Sequence, residues 1–303
     1  MKKHLIAAGL VAAFAAPAMA QNVSISGTID TAVAFSDSDT ADSTNKLVNS
    51  KIASENIKLS GSEDLGGGLK AFFRMEQSIG VADGTQNASF NRGSEVGLSG
   101  SFGSVKVGKF DITGAEGVDG VGQFGNISLF SNDIGSDVAH SVQYQLPKMA
   151  GFTVQLGHSM GDGNGSGDIN SLSATGNVGP AELRLGYTAQ DLAAGENTQT
   201  AVGVKFAAGP ITVGIAYSDV DNATAADTKQ TILSASMPLG NGLTAMAMIG
   251  NYSAAGSADA DEFGLGVMKA LSKRTSVYAA YNSNTNAADV ETKDMLIGVI
   301  HKF

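Results

Sequence analysis

The chain has no cysteine, no tryptophan, only 5 prolines, and, beyond residue 20, no run of eighteen apolar residues. Without cysteine there is no disulfide staple and no thiolate for a metal or redox centre. With only four histidines, one of them His4, a zinc site has few ligands to draw on, and neither a cofactor nor a metal is expected. The missing long apolar run excludes a membrane helix, which needs roughly 20 such residues. It does not exclude a membrane strand, which needs only alternating apolar and polar residues over about 10 positions. Basic residues are also scarce, 19 against 29 acidic ones. Setting aside Lys2 and Lys3 leaves 17 against 29, a balance that disfavours nucleic acid as a partner.

What is present begins with an export signature. Lys2 and Lys3 precede an apolar stretch over residues 5–16, and Pro17-Ala18-Met19-Ala20 supplies small residues at a cleavage site. Residues 1–20 are expected to be a cleaved signal peptide, and residues 21–303 a single strand-built domain. Glycine is abundant, at 39 residues, as expected of many strands joined by tight turns.

Period-two patterning dominates that domain. Val23, Ile25, Ile29, Val33 and Phe35 alternate with Ser24, Ser26, Thr28, Asp30 and Ala32, and Ile211, Val213, Ile215 and Tyr217 alternate with Thr212, Gly214 and Ser218. Sixteen such runs can be marked, the second near 50–63 and the third near 67–81, with the run near 241–253 the least regular. Short turns such as Leu65-Gly66-Gly67-Gly68, Gly179-Pro180 and Leu239-Gly240-Asn241 alternate with longer polar connections. Acidic stretches at 36–43, 162–168, 219–227 and 259–262 are expected to be solvated loops. One face apolar, one face polar and two lengths of connection describe an all-β, 16-stranded antiparallel transmembrane β-barrel. Residues 111–137, the third outer connection, lack strand patterning. Because so wide a barrel cannot be filled by its wall side chains, this loop 3 is expected to fold into the lumen.

Several motifs resemble a family. Ser62-Glu63-Asp64-Leu65-Gly66-Gly67-Gly68-Leu69-Lys70-Ala71-Phe72, Phe90-Asn91-Arg92, and Val96-Gly97-Leu98-Ser99-Gly100-Ser101-Phe102-Gly103 are similar to the trimeric general-diffusion porins of beta- and gammaproteobacteria. So are Ser141-Val142-Gln143-Tyr144, Leu271-Ser272-Lys273-Arg274-Thr275 and Gly298-Val299-Ile300-His301-Lys302-Phe303. The resemblance implies a homotrimer in outer-membrane lipid, loop 3 in the lumen, and passage of ions and small hydrophilic solutes. It also implies that Phe303 is the assembly signal read by the barrel-assembly machinery. The chain departs from its relatives where they carry arginines in the second strand, with Asn56, Lys58 and Ser60 there instead, and with Lys109-Phe110 after the fifth strand. Its basic side is thinner.

Charge supplies the candidate constriction. Loop 3 contains Asp111, Glu116, Asp119, Asp133 and Asp137 and no Lys or Arg among them. Alternation turns Lys58, Lys70, Arg74 and Lys106 to the polar side of their strands, toward the lumen. Acids facing bases would set up a transverse field and, with acids in excess, a modest cation preference. The plainer reading is a set of solvated charges on a wet wall. Alternatives at the level of function are a barrel with a substrate-specific channel, adhesive or enzymatic role, and a soluble secreted all-β protein.

Catalytic motifs do not hold up. Gly157-His158-Ser159-Met160-Gly161 has nucleophile-elbow spacing but runs into Asp162-Gly163-Asn164-Gly165, which cannot start the required helix. Gly120, Gly122 and Gly125 lack a βαβ setting. A calcium-loop echo from Asp162 has Ser173 where the bidentate Glu belongs.

Overall fold

The computed structural model describes residues 23–86, 89–112, 114, 121, 134–161 and 167–303; the expected signal peptide lies outside them. Its strands are β1 (Ser24–Ser38), β2 (Ala41–Asn49), β3 (Asn56–Gly66), β4 (Leu69–Ser78), β5 (Gly93–Gly100), β6 (Gly103–Phe110), β7 (Val138–Gln145), β8 (Thr153–Ser159) and β9 (Ile169–Val178). The second half comprises β10 (Ala181–Leu192), β11 (Gly195–Ala208), β12 (Ile211–Asp221), β13 (Thr228–Gly240), β14 (Leu243–Ala254), β15 (Ala260–Ala270), β16 (Thr275–Thr285) and β17 (Glu291–Lys302). Each pairs antiparallel with its neighbours in one sheet that closes where β1 meets β17, from Thr28 opposite Lys302 to Ser38 opposite Thr292.

These strand segments make a sixteen-stranded barrel because β2 and β3 share one position in the wall. β2 pairs with the Thr31–Ser38 part of β1, and β3 with its Ser24–Thr28 part. The second expected strand, near 50–63, therefore begins later, and an extra segment precedes it. Residues 36–43, expected to be a solvated loop, instead carry the end of β1 and the start of β2. The reason is physical. From Ala41 to Lys46 the strand is polar or small and exposed on both faces, so backbone pairing to β1 imposes no alternation on its side chains.

Along the wall, exposed and buried side chains alternate. On β1, Ile25, Val33 and Phe35 are exposed while Asp30, Ala32 and Ala34 are buried on the other face. On β12, Ile215 and Tyr217 are exposed and Gly214, Ala216 and Ser218 buried. So broad an apolar exterior would drive aggregation in water, and hydrocarbon is the medium that suits it. Outward Phe263 and Tyr281 stand with ring centroids 6.3 Å apart. At one two-residue turn Asn241 and Gly242 both have positive φ, 50° and 75°, the backbone that continues strand twist through a tight hairpin.

The seam is finished by Phe303. Its backbone bonds to Gly27 in both directions, at 3.0 and 3.1 Å. Its ring occupies the space beside Gly27, where an added Cβ would stand 2.5 Å from the ring Cζ. Glycine covered by a cross-strand aromatic recovers contact that the missing side chain forfeits. Gly27→Leu is expected to push the ring away at a cost of about 1–3 kcal/mol. The temperature at which the folded barrel converts to the unfolded band on a detergent gel should fall.

Candidate constriction site

Loop 3 leaves the wall after Phe110 and returns at Val138. Its two ends are tied together: the Asp111 carboxylate accepts the Asp137 amide and, at 3.3 Å, the Ser136 hydroxyl, and the Ile112 amide donates to the Gly135 carbonyl at 2.9 Å. Between these ends the described residues lie against inward-facing wall groups. The Gly114 amide donates to Thr188 Oγ1 of β10 at 2.7 Å. The Val121 carbonyl accepts from Ser234 Oγ of β13 at 2.7 Å, and the Ile134 amide donates to Gln199 Oε1 of β11 at 2.9 Å. Two wall glycines make this approach possible. A Cβ on Gly186 would lie 1.4 Å from the Gly114 oxygen, and one on Gly214 would lie 2.6 Å from Val121. Val121 itself is fully buried against Ala201, Ala216, Ile232 and Met246. Glu116, Asp119 and Asp133 lie outside the described residues.

The wall beside the start of the loop holds a connected set of charges on β4, β5 and β6, joined by Arg92 just before β5. Arg74 grips Glu95 through two nitrogens, at 3.1 and 3.3 Å, and donates from Nη1 to Glu76 at 3.0 Å. Lys106 shares Glu95 Oε2 with Arg74, at 3.0 Å, and Arg92 pairs with Glu76 at 3.2 Å. Asn56 adds a 2.9 Å bond to Glu76. Lys106 also stands 3.9 Å above the buried ring of Phe110. Strand register explains the assembly, since Arg74 is directly opposite Glu95, and Lys58 opposite Glu76. The two glutamates are nearly buried and accept bidentate and multiple charge-assisted bonds.

The expected site residues thus divide. Arg74 and Lys106 are joined in the network, and Lys58 sits beside it without an ion pair to a described residue. Lys70 lies near the turn between β3 and β4, exposed and opposite Asp64, away from the network. Asp111 and Asp137 meet at the base of the loop. Burial first, then the Asp111 charge, pushes the Asp137 carboxyl above the ordinary range, while Arg92 and Lys109 pull it back. Sequence reasoning missed Glu76, Glu95 and Arg92. Glu76 shares the parity of Arg74 and was legible in principle, whereas the partnership with Glu95 appears only once register is known.

The nucleophile-elbow spacing leads nowhere. Ser159 Oγ donates to the Ala139 carbonyl at 2.8 Å, while His158 faces the other way and meets Asn170 at 3.0 Å.

Glu95→Gln should release Lys106 and weaken the hold on Arg74, at a cost of about 1–3 kcal/mol. The zero-current potential in a salt gradient should move toward anions, and no movement would deny these groups a place on the ion path.

A family model described as Gram-negative porin matches residues 7–289. Outer membrane porin protein 32 of Delftia acidovorans is 31% identical over 239 residues, 72% of this chain and 66% of that protein. An outer membrane porin of Bordetella pertussis is 28% identical, over 73% of this chain and 60% of the relative. The chain thus spans a little under two thirds of these relatives. A solved anion-selective porin from Comamonas acidovorans superposes with a TM-score of 0.82 at 25% identity, covering 93% of this chain and all of the other.

Proposed function

Because the chain belongs to the Gram-negative porin family, we propose that its barrel is a water-filled channel for passive diffusion of ions and small hydrophilic solutes. The outer membrane is its location, as for its relatives. The observation that carries the channel reading is a closed wall with apolar side chains outside and paired charged groups on its other face, against which described residues at the ends and within loop 3 are hydrogen-bonded. In this reading Arg74, Glu76, Glu95 and Lys106, which are paired with one another, line the passage and take no catalytic role.

Selectivity in this reading comes from charge set across the passage. On the wall, Arg74, Arg92 and Lys106 are offset by Glu76 and Glu95. Asp111 and Asp137, together with Glu116, Asp119 and Asp133 elsewhere in loop 3, leave the balance acidic. A modest cation preference follows, kept weak by a Debye length of about 8 Å at physiological salt. The Comamonas neighbour carries the description anion-selective, so the sign is where this chain is expected to part from it.

The outward faces suit lipid and a homotrimer, with small residues allowing close approach between subunits. Phe303 is the proposed recognition point for the barrel-assembly machinery, and residues 1–20 the proposed cleaved export signal. Single-channel recording in planar bilayers tests the channel, and current closing in steps of three would support the trimer. The zero-current potential in a potassium chloride gradient tests the sign: a cation-side value is expected, and an anion-side value rejects the preference.

A further inference from the structure

The six residues 50–55 between β2 and β3 interrupt the ladder along β1, and two carboxylates repair it. Asp30 and Glu55 are both almost wholly buried, at 0% and 1% exposure. Glu55 Oε1 accepts the Asp30 amide at 3.0 Å and the Thr31 hydroxyl at 3.1 Å, standing in for the strand carbonyl that is missing there. Its other oxygen accepts the Val81 amide at 3.2 Å from the second outer loop. The Ser50 amide returns a bond to the Asp30 carbonyl at 2.8 Å.

Asp30 shows where the displaced segment goes. Its side chain has the parity of Ala32 and Ala34 and points into the barrel. Oδ2 accepts the amides of Ile52 and Ala53 at 2.5 and 2.7 Å, and Oδ1 accepts the Tyr278 hydroxyl of β16 at 2.8 Å. A backbone bound to an inward carboxylate lies inside the bore. Ile52 and Ala53 pack there against the buried inward cluster that includes Ala32, Ala34, Tyr278 and Leu296. Taking two carboxyl groups out of water is costly unless several hydrogen-bond donors replace the lost solvation. Three donors on each group meet that condition and hold the segment in one place. The connection from β4 to β5, which also holds Val81, adds to the hold. Asn49 accepts the Ala82 amide at 2.7 Å and donates to Asp83 at 3.2 Å. The Asp83 carboxyl, bonded by Thr85 and then Asn49, is kept below the ordinary range.

We propose that residues 50–55 form a second constriction, a wall segment folded into the lumen and fixed by Asp30 and Glu55, which limits solute size together with loop 3. This rests on the channel reading above. Since the chain has no cysteine, single thiols can report on it. Lys51→Cys and Ala53→Cys channels in planar bilayers, exposed to a bulky charged methanethiosulfonate, should lose conductance in discrete steps. Ile249→Cys on the lipid face should not. A second measurement needs no thiol reaction. Asp30→Asn removes the charge that holds the segment and should raise conductance and admit larger polyethylene glycols. Labelled thiols without loss of current, or a folded Asp30→Asn barrel with an unchanged polymer limit, would overturn the second constriction. An unsubstituted protein that conducts nothing would instead bring down the channel reading beneath it.

Discussion

A polypeptide backbone in hydrocarbon has no water to satisfy its amides and carbonyls, and each unmatched group costs several kcal/mol. The closed antiparallel ladder from β1 round to β17 answers that demand, and the remaining features are arranged by it. Once the ladder is closed, side chains can only point out or in, so a single parity divides lipid from lumen along every strand. Function then falls to the inward set and to whatever backbone can be spared from the wall.

Polar chemistry inside the bore follows one pattern: carboxylates stand in where pairing runs short or charges crowd. Glu55 replaces a strand carbonyl along β1, Asp111 fastens the two ends of loop 3, and Glu76 and Glu95 hold three basic side chains in a row. Each accepts more than one donor, and such bonds offset the cost of taking a carboxyl group out of water. Wall glycines play the complementary part. Gly186 and Gly214 leave room for loop backbone to lie directly on the sheet, where any side chain would hold it off.

Most of the wall was legible in the sequence because lipid enforces alternation wherever it touches the chain. The start and end of most strands fell within a few residues of the expected runs, including β14, where Met246 and Met248 face inward against the simple expectation of polar lumen residues. Parity put Arg74 and Lys106 on the same face as the polar residues of their strands, and both pair with Glu95. It failed for β2, where Asp42, Ser43, Thr44, Asn45 and Lys46 are polar on both faces, and for the break at residues 50–55, where the alternating run near 50–63 conceals six residues that leave the ladder. Asp30 looked like an ordinary polar member of β1, and nothing around Glu55 indicated that it reaches back to it. Arg92, Glu76 and Glu95 were missed for a related reason: an ion-pair chain across three strands is a property of register, and register is set by turns and bulges along the whole wall.

The seam between β1 and β17 joins Ser36 to Asp294, 258 residues apart, by a 2.5 Å bond. Closing a ring of that length forfeits roughly 3 kcal/mol more chain entropy than closing a hairpin of about ten residues. Every other strand pair is a local hairpin or near neighbour, so pairing can spread around the sheet one strand at a time while this junction waits. The order of assembly is thereby written into the topology. Until the first and last strands meet, the growing sheet has two raw edges, and the same junction is the natural place for the cylinder to come apart.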